Sequence, residues 1–504
     1  MNYQKLQNGS DIRGVAMEGV EGQPVNLSNE TVEQIGRAIV VYLRQKLHKD
    51  RLHIAVGRDS RLSGERLRDA IAKGVTEMGA DLTDFGLAST PSMFMCTVSE
   101  GIEFDGAIML TASHLPFNRN GVKLFTKAGG FEKSDISNVL ALAEAGQFMP
   151  APVAGKRDRL DFLSIYAKGL VQKIQKDVHA ADYEHPLRGF HIVVDAGNGA
   201  GGFYVDRVLQ PLGADTAGSQ FLEPDGHFPN HAPNPEDKAA MDALQNCVKR
   251  TKADLGIIFD TDVDRAGAVS SDGTELNRNR LIALAAATLL EEHPGTTIVT
   301  DSITSAGLSD FIAEKGGVHH RFQRGYRNVI NESIRLNTAG QDSQLAIETS
   351  GHGALKENYF LDDGAYLVTK LIIKMAQLKK ENRTLMSLID TLSEPKESIE
   401  VRMNLLLADF AAYGNTILAD LAAHAEQQHW MVAKENYEGM RISFPLDRGD
   451  GWFLLRMSLH DPLMPLNIES NSIGGVKNIA RQLYAFMKNY DQIDVEGLRK
   501  LVEE

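Results

Sequence analysis

Apolar segments of strand length alternate with amphipathic segments of helical length through most of this chain. The alternation is clear between residues 29 and 56, where apolar positions first recur at helical spacing and then form a continuous run. A strand, a polar loop and a helix repeated in this order are typical of α/β domains. The pattern predicts helices over residues 29–46, 65–78 and 162–176, and strands over residues 52–56, 107–110, 189–195, 254–259, 296–300 and 345–347.

The pattern changes after residues 392–395. A helix is predicted over 408–428, and strands over 400–403, 440–444 and 452–456 complete a segment typical of an α+β domain. A chain of 504 residues is too long for one hydrophobic core. We therefore predict three similar α/β domains in series and a C-terminal α+β domain around a central cleft. The predicted domains are residues 1–152, 153–272, 273–395 and 396–504.

Composition and charge narrow the classes of partner. The chain has 53 basic and 67 acidic residues, and its net charge of −14 argues against a nucleic acid or an anionic membrane as partner. Only two cysteines occur, far apart and without the spacing of metal ligands. The N-terminal residues lack the apolar core of a signal peptide, and no apolar run reaches membrane-spanning length. We expect a soluble, cytoplasmic enzyme that acts on small molecules.

The first candidate for chemistry is the segment of residues 105–125. An apolar strand ends at Thr111-Ala112-Ser113-His114, and the chain resumes through a second apolar run that contains Lys123. Ligands of open α/β sheets bind at such strand ends. We expect Ser113 in an exposed loop, beside a histidine and within reach of a lysine. A serine there is also a common turn former or helix cap, and that interpretation stays open.

A second candidate is the acidic run Asp260-Thr261-Asp262-Val263-Asp264-Arg265, which follows an apolar strand. Carboxylates at alternate positions can converge on one point and supply the oxygen ligands that Mg²⁺ prefers. An EF-hand is excluded, because its sixth and twelfth positions hold Arg265 and Ser271 instead of Gly and Glu. Two alternatives remain, a nucleophilic Asp260 of the D-x-D type and a solvated acidic turn.

Three further segments are candidates for function or for a turn. Residues 346–352 end a strand in a polar loop and contain Glu348, Ser350 and His352. Residues 10–14 contain Arg13, for which a surface residue near a turn is the alternative interpretation. The glycine cluster at residues 196–202 does not have dinucleotide-loop spacing, so it predicts a tight turn between a strand and a helix.

Together, the TASH, DTDVDR and ETSGH segments resemble the α-D-phosphohexomutase family, and in particular its phosphomannomutase/phosphoglucomutase branch. The resemblance implies a phosphoserine at Ser113, with Mg²⁺ held by the three acids and a phosphoserine oxygen. Lys123 and His352 are the implied acid/base residues, and His114 is implied to orient Ser113. The implied catalytic residues are Ser113, His114, Lys123, Arg265, His352 and Arg13, and the implied metal ligands are Ser113, Asp260, Asp262 and Asp264.

The same resemblance implies residues that bind the substrate. Glu348 and Ser350 match positions that bind sugar hydroxyls, and the segment Gly325-Tyr326-Arg327 aligns loosely with one that touches substrate. The family's last phosphate-binding loop appears here as residues 456–462, in which Arg456 and Ser458 remain and His460 replaces a usual residue. The family usually also has Asn at the position of Leu115.

The expected reaction is interconversion of hexose 1-phosphate and hexose 6-phosphate, of glucose or mannose, through phospho-Ser113. Hexose 1,6-bisphosphate is the expected activator or phosphoryl donor beside Mg²⁺, and the protein is expected to be a monomer or homodimer. The altered loop of residues 456–462 leaves a hexose-1,6-bisphosphate synthase as an alternative. If this loop binds phosphate more weakly, the bisphosphate intermediate is released more readily. A third hypothesis is a non-catalytic phosphosugar-binding protein.

Overall fold

The computed structural model describes residues 2–458 and 461–503, which form two compact units. The first unit contains the described residues up to 277 together with residues 350–387, and the second contains residues 278–349 and the described residues from 388 onward. Among the described residues, every helix is too short or too polar to span a membrane.

The first unit begins with an eight-stranded sheet and the four helices that accompany it. Its helices are α1 (Asn29–Leu47), α2 (Gly64–Glu77), α3 (Thr90–Met95) and α4 (Lys133–Ala145). Its strands are β1 (Gln7–Asn8), β2 (Asp11–Val15), β3 (His53–Arg58), β4 (Asp81–Leu87), β5 (Gly106–Leu110), β6 (Arg119–Thr126), β7 (Gly129–Gly130) and β8 (Arg157–Arg159).

The strand order β1-β2-β6-β5-β3-β4-β8 determines which loops meet at the edge of this sheet. Strands β3 and β5 are parallel neighbours, so the loops at their carboxyl ends lie side by side. The buried faces of α1, α2 and α4 pack on the sheet, in a core that includes Ile35, Ile71 and Val139. The sheet thereby brings the loop of residues 59–63 beside the loop that contains Ser113.

The next part of the first unit is a smaller sheet. It contains α5 (Phe162–Val178), β9 (Ile192–Asp195), a π-helical segment (Tyr204–Leu209), α6 (Lys238–Thr251), β10 (Leu255–Phe259) and β11 (Ala266–Ser270). Strand β10 pairs in parallel with β9 and antiparallel with β11. The glycine cluster forms the predicted turn after β9, and a Cβ at Gly199 would lie 2.7 Å from the carbonyl oxygen of Thr261. This close approach places the turn against the acidic loop between β10 and β11.

A third α/β segment follows in the chain. It comprises α7 (Asn279–Glu292), β12 (Thr297–Asp301), α8 (Ala306–Glu314), β13 (Val318–Phe322), α9 (Tyr326–Thr338) and β14 (Ser343–Ile347), and these three strands are parallel, with β12 in the centre. The next elements belong to the first unit and are β15 (Gly353–Leu355), β16 (Leu361–Asp362) and α10 (Gly364–Lys379). Helix α10 packs against α5.

The C-terminal segment contains five strands and three α-helices among its described residues. They are β17 (Glu397–Asn404), α11 (Phe410–Gln427), β18 (Met431–Val432), β19 (Met440–Phe444), β20 (Gly451–Leu455), β21 (Leu463–Ser470), α12 (Gly475–Met487) and α13 (Glu496–Glu503). The strands form an antiparallel sheet of order β17-β21-β20-β19-β18. Short 3₁₀ helices lie at Tyr3–Leu6, Lys356–Asn358, Leu385–Leu388 and Leu446–Arg448. The predicted series of three α/β segments and an α+β segment is confirmed.

Candidate functional site

Ser113 lies in the loop after β5, where the backbone is held in an unusual conformation. Its φ of 51° is in the left-handed region, which few residues other than glycine adopt. The backbone N–H of Ser113 donates to Thr111 Oγ1 at 2.9 Å, and this bond supports the turn. Strained backbone of this kind recurs at functional sites.

The side chain of Ser113 points at charged groups. Its Oγ donates to Asp260 Oδ2 at 3.0 Å and accepts from Arg265 Nη2 at 3.3 Å. His114 Nδ1 lies 3.2 Å from the same oxygen and accepts from Arg265 Nη2 at 2.5 Å. The expectation of an exposed loop is wrong, because Ser113 is only 5% exposed among these groups.

The acidic loop joins β10 to β11 and turns its three carboxylates to one point. Val263 has a φ of 68°, an uncommon conformation for a β-branched residue, and this bend lets alternate side chains converge. Asp260, Asp262 and Asp264 are buried, and their ligand atoms lie within 4.8 Å of one another. The alternative of a solvated acidic turn is therefore wrong.

Lys123, on β6, contacts two of the acids. Its Nζ donates to Asp262 Oδ2 at 3.0 Å and also to Asp264 Oδ2. Thr90, at the start of α3, donates its hydroxyl to Asp262 Oδ2 at 2.5 Å, and its N–H to the carbonyl of the same residue at 2.8 Å. These contacts fix the orientation of the acidic loop relative to the first sheet.

The acidic cluster has the properties of a divalent cation site. Burial and the charges of Asp264 and Asp262 raise the pKa of Asp260 well above its usual value. Asp262 Oδ1 and Asp264 Oδ1 are buried and have no hydrogen-bond partner among residues 2–458 and 461–503. Unpartnered buried oxygens are costly, and a hard cation such as Mg²⁺ would satisfy them. The residues present therefore fit a magnesium ion.

His352 is brought to this cluster by an isolated β-bridge with Arg265. Its Nδ1 lies 2.5 Å from Asp362 Oδ2 and 3.9 Å from Asp264 Oδ1. Burial alone would lower the pKa of His352, but the two carboxylates raise it to about 9. The imidazole is thus held protonated and oriented by Asp362, a residue that the sequence analysis did not single out.

His114 and Arg13 complete the predicted catalytic set in the first unit. Burial, followed by the positive charge of Arg265, lowers the pKa of His114 to about 2, so the imidazole is neutral. Arg13 lies on β2 opposite Gly121 of β6, and its Nη2 donates to Asp11 Oδ2 at 2.8 Å. Its charge also lowers the pKa of His114, as expected of a group near the Ser113 loop.

Ser350 lies in the same unit, with its Oγ buried and without a hydrogen-bond partner among the described residues.

The second unit contains the other predicted substrate residues. Glu348 follows β14, and its Oε1 accepts from the N–H of Gly325 at 2.6 Å. Gly325 has a φ of 116° and precedes α9, which begins with Tyr326 and Arg327. The structure therefore brings Glu348 to the start of α9.

Arg456 and Ser458 lie at the end of β20 in the second unit. Arg456 Nη1 is 3.6 Å from Glu438 Oε1, and burial lowers the pKa of this arginine although Glu438 opposes the effect. Glu438 also accepts from the hydroxyl of Ser302 at 2.5 Å and from the N–H of Arg324 at 3.1 Å. Ser458 Oγ accepts from the N–H of Asp461 at 3.2 Å. His460 lies outside the described residues.

Several residues of these sites were not predicted. Thr90, Asp362 and Glu438 contact candidate residues, but each stands in an ordinary polar context in the sequence. The sequence carries one further signal, the Gly/Ser-rich turn of residues 57–64, which follows a strand and contains Arg61.

Comparisons with known proteins identify the family of this chain. Three models of the phosphoglucomutase/phosphomannomutase family match the chain: alpha/beta/alpha domain I at residues 4–148, domain II at 166–273 and domain III at 277–394. A phosphomannomutase/phosphoglucomutase of Pseudomonas putida is 30% identical over 473 residues, which cover 93% of this chain and 94% of that protein. A phosphoglucomutase of Neisseria gonorrhoeae is 29% identical over 95% of this chain and 96% of its own length.

A solved structure of a protein from this family has a similar fold. The crystal structure of a phosphoglucomutase/phosphomannomutase family protein from Burkholderia thailandensis superposes with a TM-score of 0.79 and 27% identity. The match covers 97% of this chain and 98% of that chain.

Proposed function

Because the chain belongs to the phosphoglucomutase/phosphomannomutase family, whose enzymes are intramolecular phosphotransferases, we propose that it interconverts hexose 1-phosphate and hexose 6-phosphate. The hexose is glucose, mannose or both, and the reaction passes through phospho-Ser113 and hexose 1,6-bisphosphate. The observation that carries the proposal is the position of Ser113 Oγ, 3.0 Å from Asp260 in a buried triad of carboxylates.

Ser113 acts as the carrier of the phosphoryl group. In the first half-reaction the bond between phosphorus and Ser113 Oγ breaks, and a bond forms between phosphorus and a sugar hydroxyl oxygen. In the second half-reaction the phosphate at the other end of the bisphosphate returns to Ser113 Oγ. Splitting the transfer between a nucleophile and two sugar oxygens is covalent catalysis.

Arg265 and the acidic loop offset the charge of the phosphoserine. A phosphoserine adds about −1.5 to −2 charge at neutral pH, and a buried charge of this size must be compensated. Arg265 Nη2 already donates to Ser113 Oγ and is positioned to donate to a phosphate oxygen. Asp260, Asp262 and Asp264 would hold Mg²⁺ with a phosphoserine oxygen as a further ligand, and the bound ion would neutralise charge that develops on the transferred group.

Lys123 and His352 are proposed to move protons. In the first half-reaction the attacking sugar hydroxyl loses a proton and the departing Ser113 Oγ gains one. In the second, the Ser113 hydroxyl loses a proton and the departing sugar oxygen gains one. Lys123 contacts Asp262 and Asp264, and His352 is oriented by Asp362, so both polar groups border the acidic cluster. His114 is proposed to orient the Ser113 side chain or its phosphate, and Arg13 to add positive charge beside that loop.

The proposed substrate contacts divide between the sugar and its distal phosphate. Glu348 and Ser350 would bind ring hydroxyls, and the segment Gly325-Tyr326-Arg327 would support them. Arg456, Ser458 and His460 would bind the phosphate that is not being transferred. A guanidinium group and a hydroxyl are suitable donors for this purpose.

The bisphosphate synthase remains a second candidate because of the altered loop. A Cβ at Gly414 of α11 would lie 2.1 Å from the sulfur of Met457, so this side chain packs against the helix instead of offering a donor to phosphate. Fewer donors would hold a bisphosphate less tightly during its reorientation. The non-catalytic binding protein is disfavoured, because binding alone requires neither a carrier nor a metal site.

Phosphorus NMR of the purified protein with Mg²⁺ and glucose 1-phosphate or mannose 1-phosphate tests these candidates, with and without catalytic glucose 1,6-bisphosphate. Accumulation of the 6-phosphate supports the mutase. Build-up of free bisphosphate from a stoichiometric bisphosphate donor supports the synthase. No conversion of either sugar under both conditions would contradict both enzymatic proposals.

A further inference from the structure

Arg61 is among the most buried charged residues of the described chain. Its guanidinium group donates hydrogen bonds to the backbone of the Ser113 loop. It is 1% exposed, at the end of the strand beside β5. Nη2 donates to the carbonyl oxygens of Ser113 and Leu115, both at 2.5 Å. Nη1 donates to the carbonyl oxygens of Pro116 at 2.7 Å and Arg119 at 3.0 Å. One side chain thus binds four carbonyls of one loop.

Two other residues hold this guanidinium in place. Asp59 Oδ2 lies 3.3 Å from Arg61 Nε, and neither side chain of the pair is exposed. Asp59 Oδ1 also accepts from the backbone N–H of Arg61 at 2.9 Å. The ring of Phe228 lies 5.3 Å from the guanidinium carbon and covers it from the domain II side of the first unit.

This contact gives the irregular segment of residues 224–235 a physical role. Gly226 packs so closely on the Arg61 turn that a Cβ there would lie 2.5 Å from the N–H nitrogen of Leu62. Phe228 itself has a φ of 50°, in the left-handed region of the backbone. The segment therefore packs against the Arg61 turn and the Arg61 guanidinium group.

We propose that Arg61 is a positioning residue for phosphoryl transfer, which fixes the Ser113 loop so that Ser113 Oγ stays beside Asp260. The inference rests on the function proposed above. Four carbonyl dipoles directed at one buried point repel one another unless a cation with several donors lies between them. Arginine has five N–H donors in a planar fork, whereas lysine has one ammonium group and cannot bind four separated acceptors in this geometry.

The hydrogen bonds of Arg61 reach the backbone of this loop. In the described chain they go to four carbonyl oxygens, while Asp59 forms its ion pair and Phe228 its ring contact. Loss of its contacts should let the left-handed backbone at Ser113 relax and move the hydroxyl. A displacement of about 1 Å at a reacting group lowers the rate by about 100-fold.

The test compares Arg61→Lys and Phe228→Leu with the wild type and with a control, Arg37→Lys. Arg37 forms ion pairs with Glu33 and Glu77 between α1 and α2, away from the loop, so its replacement matches the chemistry of the change but not its position. Hydrogen exchange is followed by mass spectrometry in peptides that cover residues 111–121. The kcat and KM are measured for glucose 1-phosphate with Mg²⁺ and bisphosphate.

Arg61→Lys is expected to lower kcat by about 10- to 100-fold with KM changed less than about threefold, and to speed exchange in residues 111–121 alone. Phe228→Leu, a milder change in a half-buried position, is expected to lower kcat about threefold, with faster exchange in the same peptides. Exchange and kcat like those of the wild type in both variants would overturn the proposal. If Arg61→Lys does not fold, the Phe228→Leu result decides. If the wild type has no mutase activity, the proposed function fails, but the exchange comparison still tests the role of Arg61.

Discussion

Asp262→Asn tests the proposed metal site with a change that keeps the size of the side chain. In the wild type, Asp262 Oδ2 accepts hydrogen bonds from Thr90 and Lys123. Asp262 Oδ1 is buried and has no hydrogen-bond partner among the described residues. The amide of the variant can still accept from Thr90 or Lys123. The substitution removes one of three carboxylate groups, whose oxygen atoms lie within 4.8 Å of one another.

The expected effect on Mg²⁺ binding is large, and the effect on the metal-free protein is small. Losing one of three charged ligands should weaken binding by about 100-fold, which corresponds to about 2.7 kcal/mol. At a Mg²⁺ concentration 100 times the wild-type Kd, the wild type gains about 2.7 kcal/mol of stability and the variant only about 0.4 kcal/mol. Without metal, the lost repulsion from Asp260 and Asp264 offsets the weaker contact to Lys123.

Titration calorimetry measures the Kd, and thermal unfolding with Mg²⁺ or with a chelator measures the stabilisation. Asp242→Asn is a matched control, because this half-exposed carboxylate on α6 of the same unit forms an ion pair with the surface residue Lys238. An Asp262→Asn variant that bound Mg²⁺ as tightly as the control, or a wild type with no Mg²⁺-dependent stabilisation, would refute the assignment of the acidic cluster.

Three further predictions concern single side chains. Ser113→Ala is expected to abolish formation of glucose 6-phosphate and to cost about 1 kcal/mol of stability, since it removes the hydrogen bond to Asp260; full activity in a coupled assay would contradict the carrier role. Glu438→Gln is expected to lower the KM for hexose phosphate by about threefold to tenfold, because a carboxylate that competes with phosphate for Arg456 is neutralised; a higher KM in initial-rate assays would show instead that the carboxylate supports the site. Burial raises the pKa of Glu469 from 4.5 to about 7, so the folded protein favours the protonated carboxyl group. The free energy of unfolding therefore falls as the pH rises from 4.5 to about 7, by up to about 3 kcal/mol. Glu469→Gln should therefore flatten the dependence of thermal stability on pH in that window, and an unchanged slope would contradict the assignment.

The sequence predicted those features whose signal is local. An apolar run that ends in a polar loop is visible in a few residues, so the strand ends at Ser113 and at Asp260 were predicted correctly. Helix α1 was predicted over 29–46 and is observed at Asn29–Leu47, since its apolar spacing is regular.

Features that depend on distant partners were not predicted. Thr90 lies 172 residues before Asp262, and nothing near Thr90 in the sequence indicates this contact. The burial of Ser113 was also missed, because Arg61 and Arg265, 52 and 152 residues away, enclose the loop only after the domains fold. Polar residues that support a site have no local pattern, whereas the residues of a strand end do.

The central claim is that Ser113 carries the phosphoryl group, and peptide mass spectrometry of the protein after incubation with Mg²⁺ and glucose 1,6-bisphosphate tests it most directly. We expect one phosphate per chain, on Ser113, which disappears when excess glucose 1-phosphate is added and is absent in Ser113→Ala. A hydroxylamine-sensitive phosphate on Asp260 would contradict it and support the alternative of an aspartate nucleophile. So would rapid turnover of glucose 1-phosphate by a protein that never carries phosphate on Ser113.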